Sequence, residues 1–166
     1  MKKLIFTDER NWAALFARVI LGLVVFPHGA QKLFGWFGGY GLEGTLTFMT
    51  QHMNVPYFIA MLVVLIESIG SLFLIAGFLT RFFAFCIFCN FIGIILHSHL
   101  NNGFFMNWDM LPDKPEGYEY HLLIIGVAIV LMIFGGGKWS VDAALSKKYT
   151  DVNGSLTGFG NTSKVV

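Results

Sequence analysis

Two charged residues stand inside otherwise apolar runs: Arg18 within Trp12–Phe26, and Glu67 near the middle of Tyr57–Leu79. A charge at bilayer depth is costly, so such residues face a protein interior and mark a partner or a site. If both runs cross a membrane, Arg18 and Glu67 are expected to satisfy each other. That pair either fixes helix register or forms part of a proton or ligand route, with Asn90 at comparable depth.

A second set of polar residues collects where apolar runs end. His28, Gln31 and Lys32 follow the first run, His97 and His99 close the third, and Glu119, Tyr120 and His121 open the fourth, with His52 in a loop between. A quinone headgroup needs a hydrogen-bond donor near each carbonyl and an apolar slot for its tail, which a His beside Lys, Gln or Tyr at helix ends supplies. Glu119 is placed to hold one histidine in the right tautomer or to accept a proton. His97 and His99 diverge by about 200° on an ideal helix, so one faces away, and the deeper His97 is preferred. The binding set is therefore His28, Gln31, Lys32, His97, Glu119 and His121. Helix-end histidines are also ordinary residents of a membrane interface and need no function. No metal is expected, because neither an HxxxH nor a paired CxxC spacing occurs. Cys86 and Cys89 are one helical turn apart within an apolar run, where packing is a better reading than redox chemistry.

Composition supplies the environment these residues require. The 166-residue chain is 55% hydrophobic and 13% charged, with a mean hydropathy of +0.66. That leaves too little polar surface to solvate a globule, and the chain belongs in lipid. A net charge of +1 and the lack of a basic stripe exclude nucleic acid as a partner.

Four apolar stretches, about Trp12–Pro27, Tyr57–Leu79, Phe82–Leu100 and Tyr120–Phe134, predict four spans. The second and third are long enough outright; the first and fourth recruit residues 28–34 and 117–119. The first is read as a retained helix rather than a cleaved signal, since Arg18 interrupts it and no small-residue cleavage site follows. Lys2, Lys3 and Arg10 precede it, Arg81 sits between the second and third spans, and Lys138, Lys147 and Lys148 follow the fourth. The positive-inside rule places all three segments in the cytoplasm, and the loops of residues 28–56 and 101–119 outside. Gly135–Gly137 are expected to end the last helix in left-handed caps. Lys138 there complements the helix dipole and Trp139 anchors at the interface. Ser140 or Asp142 caps a surface helix, Val141–Lys148. The polar tail 149–166 reads as disordered.

In order and spacing, several motifs together resemble the DoxX family of small bacterial membrane proteins. They are Arg18, Gly22 and His28-Gly29-x-Gln31-Lys32-Leu33-Phe34-Gly35; then Glu67-Ser68-Ile69-Gly70, Gly77 and Thr80-Arg81; and finally Glu119-Tyr120 with Gly135-Gly136-Gly137-Lys138-Trp139-Ser140-Val141-Asp142. The resemblance covers about residues 10–145. It implies a four-helix integral membrane protein; some relatives are subunits of a thiosulfate:quinone oxidoreductase, and others are tied to membrane-associated oxidative-stress complexes. One departure is the Gly-Gly-Gly-Lys-Trp-Ser exit, where relatives carry a Pro between glycines.

The expectation is an all-α, integral membrane four-helix bundle over residues 1–148, with both termini cytoplasmic, in a bacterial inner membrane. Its expected role is the membrane subunit of a quinone-linked oxidoreductase system, with an outward-facing polar site, working with a partner subunit. A non-catalytic scaffold, or a binding and transport subunit, is the alternative, and self-association into a homo-oligomer stays open.

Overall fold

A computed structural model describes residues 7–148, so Lys2, Lys3 and the tail 149–166 lie outside the described residues. The described chain is helical, without strands. Helices α1 (Trp12–Phe34), α3 (Tyr57–Ala76) and α4 (Thr80–Asn102) are each long and apolar enough to cross a membrane; α5 (Glu119–Phe134) is apolar but shorter. A short helix α2 (Gly41–Thr47) lies in the connection from α1 to α3, and a last helix, α6, covers 141–148.

Local chemistry sets the helix limits. Asn11 caps α1 by accepting the Ala14 amide at 3.0 Å, and α1 runs through Pro27 to Gly35, which ends it in a left-handed conformation (φ 73). The α3–α4 turn is closed at Gly77 (φ 71), whose amide donates to Leu74 O while that of Phe78 donates to Phe73 O. Any side chain on Gly77 would meet Ser140 Cβ at 2.4 Å. Asp142 accepts the Leu79 and Thr80 amides, both at 2.8 Å, and so caps α4. Ser140 caps its own helix, α6, by accepting the Ala143 amide. The two capping roles left open by the sequence are thus divided between two helices.

The helices share one apolar core, with Leu21 and Val25 of α1, Leu74 of α3, Ala84, Ile87 and Phe91 of α4, and Ile124, Ala128 and Leu131 of α5. Glycines let α1 approach α3 closely. A Cβ on Gly22 would fall 2.8 Å from Ser71 O, and one on Gly29 would fall 2.3 Å from the Glu67–Ser68 backbone.

Arg18 does not pair with Glu67, contrary to the expectation from their shared isolation. Its guanidinium, in a residue 2% exposed, donates to the carbonyls of Leu74 and Ile75 at the end of α3, and to those of Gly136, Lys138 and Trp139 beyond α5. Helix C-termini carry unpaired carbonyls and partial negative charge, so two converging C-terminal ends form an acceptor basket for a five-donor cation. Asp142 is the carboxylate whose charge acts on Arg18.

Candidate functional site

Lys32 lies in the last turn of α1, and the close contact at Gly29 brings that turn against the backbone of Glu67 and Ser68. Lys32 Nζ meets Glu67 Oε2 at 2.5 Å, with the lysine side chain 29% exposed and the glutamate side chain 2%. The other carboxylate oxygen, Oε1, accepts from Asn90 Nδ2 of α4 at 3.0 Å. Glu67 therefore receives one donor on each oxygen, from the two helices that flank α3. This arrangement satisfies a buried carboxylate whose oxygens would otherwise lack hydrogen-bond partners.

Glu67 stands in a π-helical turn, Ile66–Gly70, inside α3. A widened turn frees carbonyls from the regular ladder. Here hydroxyl groups answer nearby carbonyls: Ser68 Oγ donates to Val64 O, and Ser71 Oγ donates to the carbonyls of Glu67 and Ser68. Another π-helical turn, Ile95–His99, lies in the last part of α4, just before its final turn Leu100–Asn102.

The connection from α1 to α3 folds back over this charged group. Gly39 packs so tightly on Gln31 that a Cβ would lie 2.3 Å from the Gln31 carbonyl oxygen. Beneath this fold is a cavity of about 460 Å³, whose polar lining comes from Gln31, Lys32, Glu67, Ser98 and His99 and whose apolar wall includes Met49, Met53 and Val63. A second cavity of about 340 Å³ adjoins it between α3 and α4, sharing Met49, Met53, Val63, Ile94 and Ser98.

The structure brings Gln31, Lys32 and Glu67 to one cavity. Gln31 Nε2 also reaches Phe37 O, at 3.4 Å. His28 is exposed on α1, with its ring centroid 6.4 Å from that of Tyr120, and the charges of Lys32 and Glu67 both act on it. His121 is buried, its ring centroid 4.4 Å from that of His99. The buried Nδ1 of His121 and hydroxyl of Tyr120 have no hydrogen-bond partner among the described residues.

His97 is not part of this group. Its Nε2 lies 3.0 Å from Met53 O, and its side chain lines the second cavity. His99 takes the place expected of His97: it lines the first cavity and lies against His121. Its Nδ1 is 2.8 Å from the Glu116 carbonyl; a carbonyl only accepts, so Nδ1 carries a proton. The two imidazoles do diverge, into different cavities, but the choice of the deeper His97 failed: within the π-helical turn that spans both residues it is His99 that faces the first cavity. Glu119 holds no imidazole either: its carboxylate accepts the Met106 amide at 3.1 Å and fastens the 103–118 loop. His52 is exposed against Phe48.

Sequence reasoning missed His99 as a cavity residue, and Lys32 as the partner of Glu67. The clue was Gly29, which sits one turn before Lys32 and marks where α1 and α3 touch.

Residues 13–100 match the family model described as DoxX. "Inner membrane protein YqjF" of Escherichia coli (strain K12) is 31% identical over 151 residues, covering 90% of this chain and 100% of that protein. "Putative oxidoreductase CatD" of Bacillus subtilis (strain 168) is 29% identical over 117 residues, covering 70% of this chain and 76% of that one. No solved structure matches.

Proposed function

The chain belongs to the DoxX family and is a multi-pass protein of the bacterial inner membrane, and we propose that it is the membrane subunit of a quinone-linked oxidoreductase system. The observation that carries this reading is the Lys32–Glu67–Asn90 group at the wall of a cavity that is polar on one side and apolar on the other. A quinone carbonyl accepts a hydrogen bond from Lys32 or Gln31, and a quinol hydroxyl donates one to Glu67. Reduction of a quinone to the quinol takes two electrons and two protons. A partner oxidoreductase subunit exchanges the electrons, and Lys32 and Glu67 hold and move protons at the headgroup. The relative from Bacillus subtilis whose name includes "oxidoreductase" supports the reaction class.

The cavity faces outward in this proposal, in a bundle of four spans, α1, α3, α4 and α5, with cytoplasmic termini. Arg10, Arg81 and Lys138 gather at the end where Arg18 ties the helices together, whereas Asp109, Asp113, Glu116 and Glu119 lie at the other. That distribution follows the positive-inside rule.

The test is equilibrium binding of a tail-less benzoquinone to the purified protein. Lys32→Met combined with Glu67→Leu removes both charges together, and is expected to weaken binding by about tenfold or more while the protein stays folded. Unchanged affinity in the folded double variant would remove the quinone reading and leave this group as a structural ion pair.

A further inference from the structure

We propose that the second cavity is a lateral portal, through which the alkyl or isoprenoid tail of a quinone passes from the lipid to the headgroup at Lys32 and Glu67, and that Gly93 keeps it open. The inference rests on the quinone reading above and adds both the long-tailed substrate class and the residue that selects it.

Gly93 carries the argument. Glycine inside a helix is unfavourable relative to alanine, so it calls for a reason. For Gly22, Gly29 and Gly77 the reason is close packing, since a Cβ on each would come within 3.0 Å of another segment; a Cβ on Gly93 would meet nothing within 4 Å. The open space beside it is the second cavity, which Gly93 lines with Cys89 one turn before it and His97 one turn after. Cys89 and Gly93, with Ile59 on the opposite wall, are exposed on the α3 and α4 surfaces that face hydrocarbon in a membrane.

Continuity with the headgroup cavity fixes the occupant. The two cavities share a wall, and Asn90, which lines the second, is bonded to the carboxylate of Glu67, which lines the first. A molecule reaching from one to the other presents a polar head to Lys32 and Glu67 and an apolar chain past Pro56, Ile59 and Gly93. At the outer end His97 is tied to the Met53 carbonyl, which closes that side of the groove against the connection preceding α3. Lipid is as apolar as the groove, so the groove gains little by attracting a chain. It lets a tail trail outward while the head is held, and a side chain at residue 93 long enough to cross the groove takes that passage away.

Two probes separate this from its alternatives: a tail-less benzoquinone, and the same ring carrying a decyl tail. Both are titrated against the full chain in detergent or nanodiscs. Gly93→Leu is expected to weaken binding of the decyl compound by about tenfold or more while changing the tail-less compound by less than about twofold. Gly93→Ala is expected to bind both like the parent. Retained binding of the tail-less ring shows that the leucine variant is folded; Cys89→Phe, on the same face, is expected to reproduce the selectivity. Equal loss of both probes, or no loss of either, in both bulky variants would overturn the portal, the second result meaning that a lipid chain merely fills the groove. Failure of the tail-less probe to bind the parent chain would overturn the quinone reading and the portal with it, whereas failure of the decyl probe alone would overturn only the portal.

Discussion

A double-mutant comparison distinguishes the observed charge partners from the ones that spacing alone suggests. Lys32→Met leaves the Glu67 carboxylate, 2% exposed, with Asn90 as its remaining side-chain donor. Removing one member of a buried pair typically costs about 3–5 kcal/mol, and the lower figure applies because Asn90 still donates to Glu67. Glu67→Leu strands the Asn90 amide, a loss of about 1–3 kcal/mol, while Lys32, already 29% exposed, swings to water. The double variant strands only Asn90, as Glu67→Leu does, so the singles overcount by a coupling of about 3 kcal/mol, the whole cost of Lys32→Met. Arg18→Met is expected to cost about 3–5 kcal/mol on its own, by leaving buried carbonyls without a donor. Its effect should add to that of Glu67→Leu within about 0.5 kcal/mol. The nearest acceptor of Arg18 along α3, Leu74, is seven residues beyond Glu67, about 10 Å along the axis, and the two side chains have different hydrogen-bond partners. Equilibrium unfolding in mixed micelles gives each free energy. A coupling above about 1 kcal/mol between Arg18 and Glu67, or none between Lys32 and Glu67, would refute this assignment.

Three further outcomes are expected. Asp142→Ala removes the acceptor for two amides at the start of α4 and should lower stability by about 1–2 kcal/mol, with Asp142→Asn losing less, as read by thermal unfolding. Gly29→Ala drives a methyl group into the Glu67–Ser68 backbone, so it should destabilise by about 1–3 kcal/mol and weaken tail-less quinone binding; normal binding in a folded variant would show that the α1–α3 contact does not position Lys32. With Cys86 and Cys89 replaced by Ala, single cysteines at residues 7 and 146 should resist an impermeant thiol reagent in intact cells while one at 113 reacts, and labelling of both ends from outside would reverse the proposed topology.

The apolar helices were legible from hydropathy because that signal is local and needs no knowledge of neighbours. The extension of α1 past Pro27 to Phe34 was readable instead from the length that a span needs. Partnership was not, because it depends on where helices cross. Arg18 and Glu67 are the buried charges anyone would join, yet each is answered from a different end of the bundle. The glycine stops at Gly77 and Gly135 could have shown that free carbonyls converge near the level of Arg18. The widened turns at Ile66–Gly70 and Ile95–His99 leave no compositional mark, and depth in the span, the criterion that separated two diverging histidines, selected His97 where His99 stands. The cavities were invisible for a similar reason: the connection over residues 35–56 forms their roof by folding back, through Gly39, onto α1.

The Arg18 basket also sets an order for making this protein. Arg18 emerges from the ribosome early, whereas its acceptor at Gly136 follows 118 residues later. Until residues 136–139 are made, Arg18 has only the Leu74 and Ile75 carbonyls of α3 to donate to, so a hairpin of α1 and α3 alone carries a part-satisfied cation. A chain stopped before residue 136 therefore leaves the basket half built, with Arg18 held by α3 alone and three of its five acceptors missing.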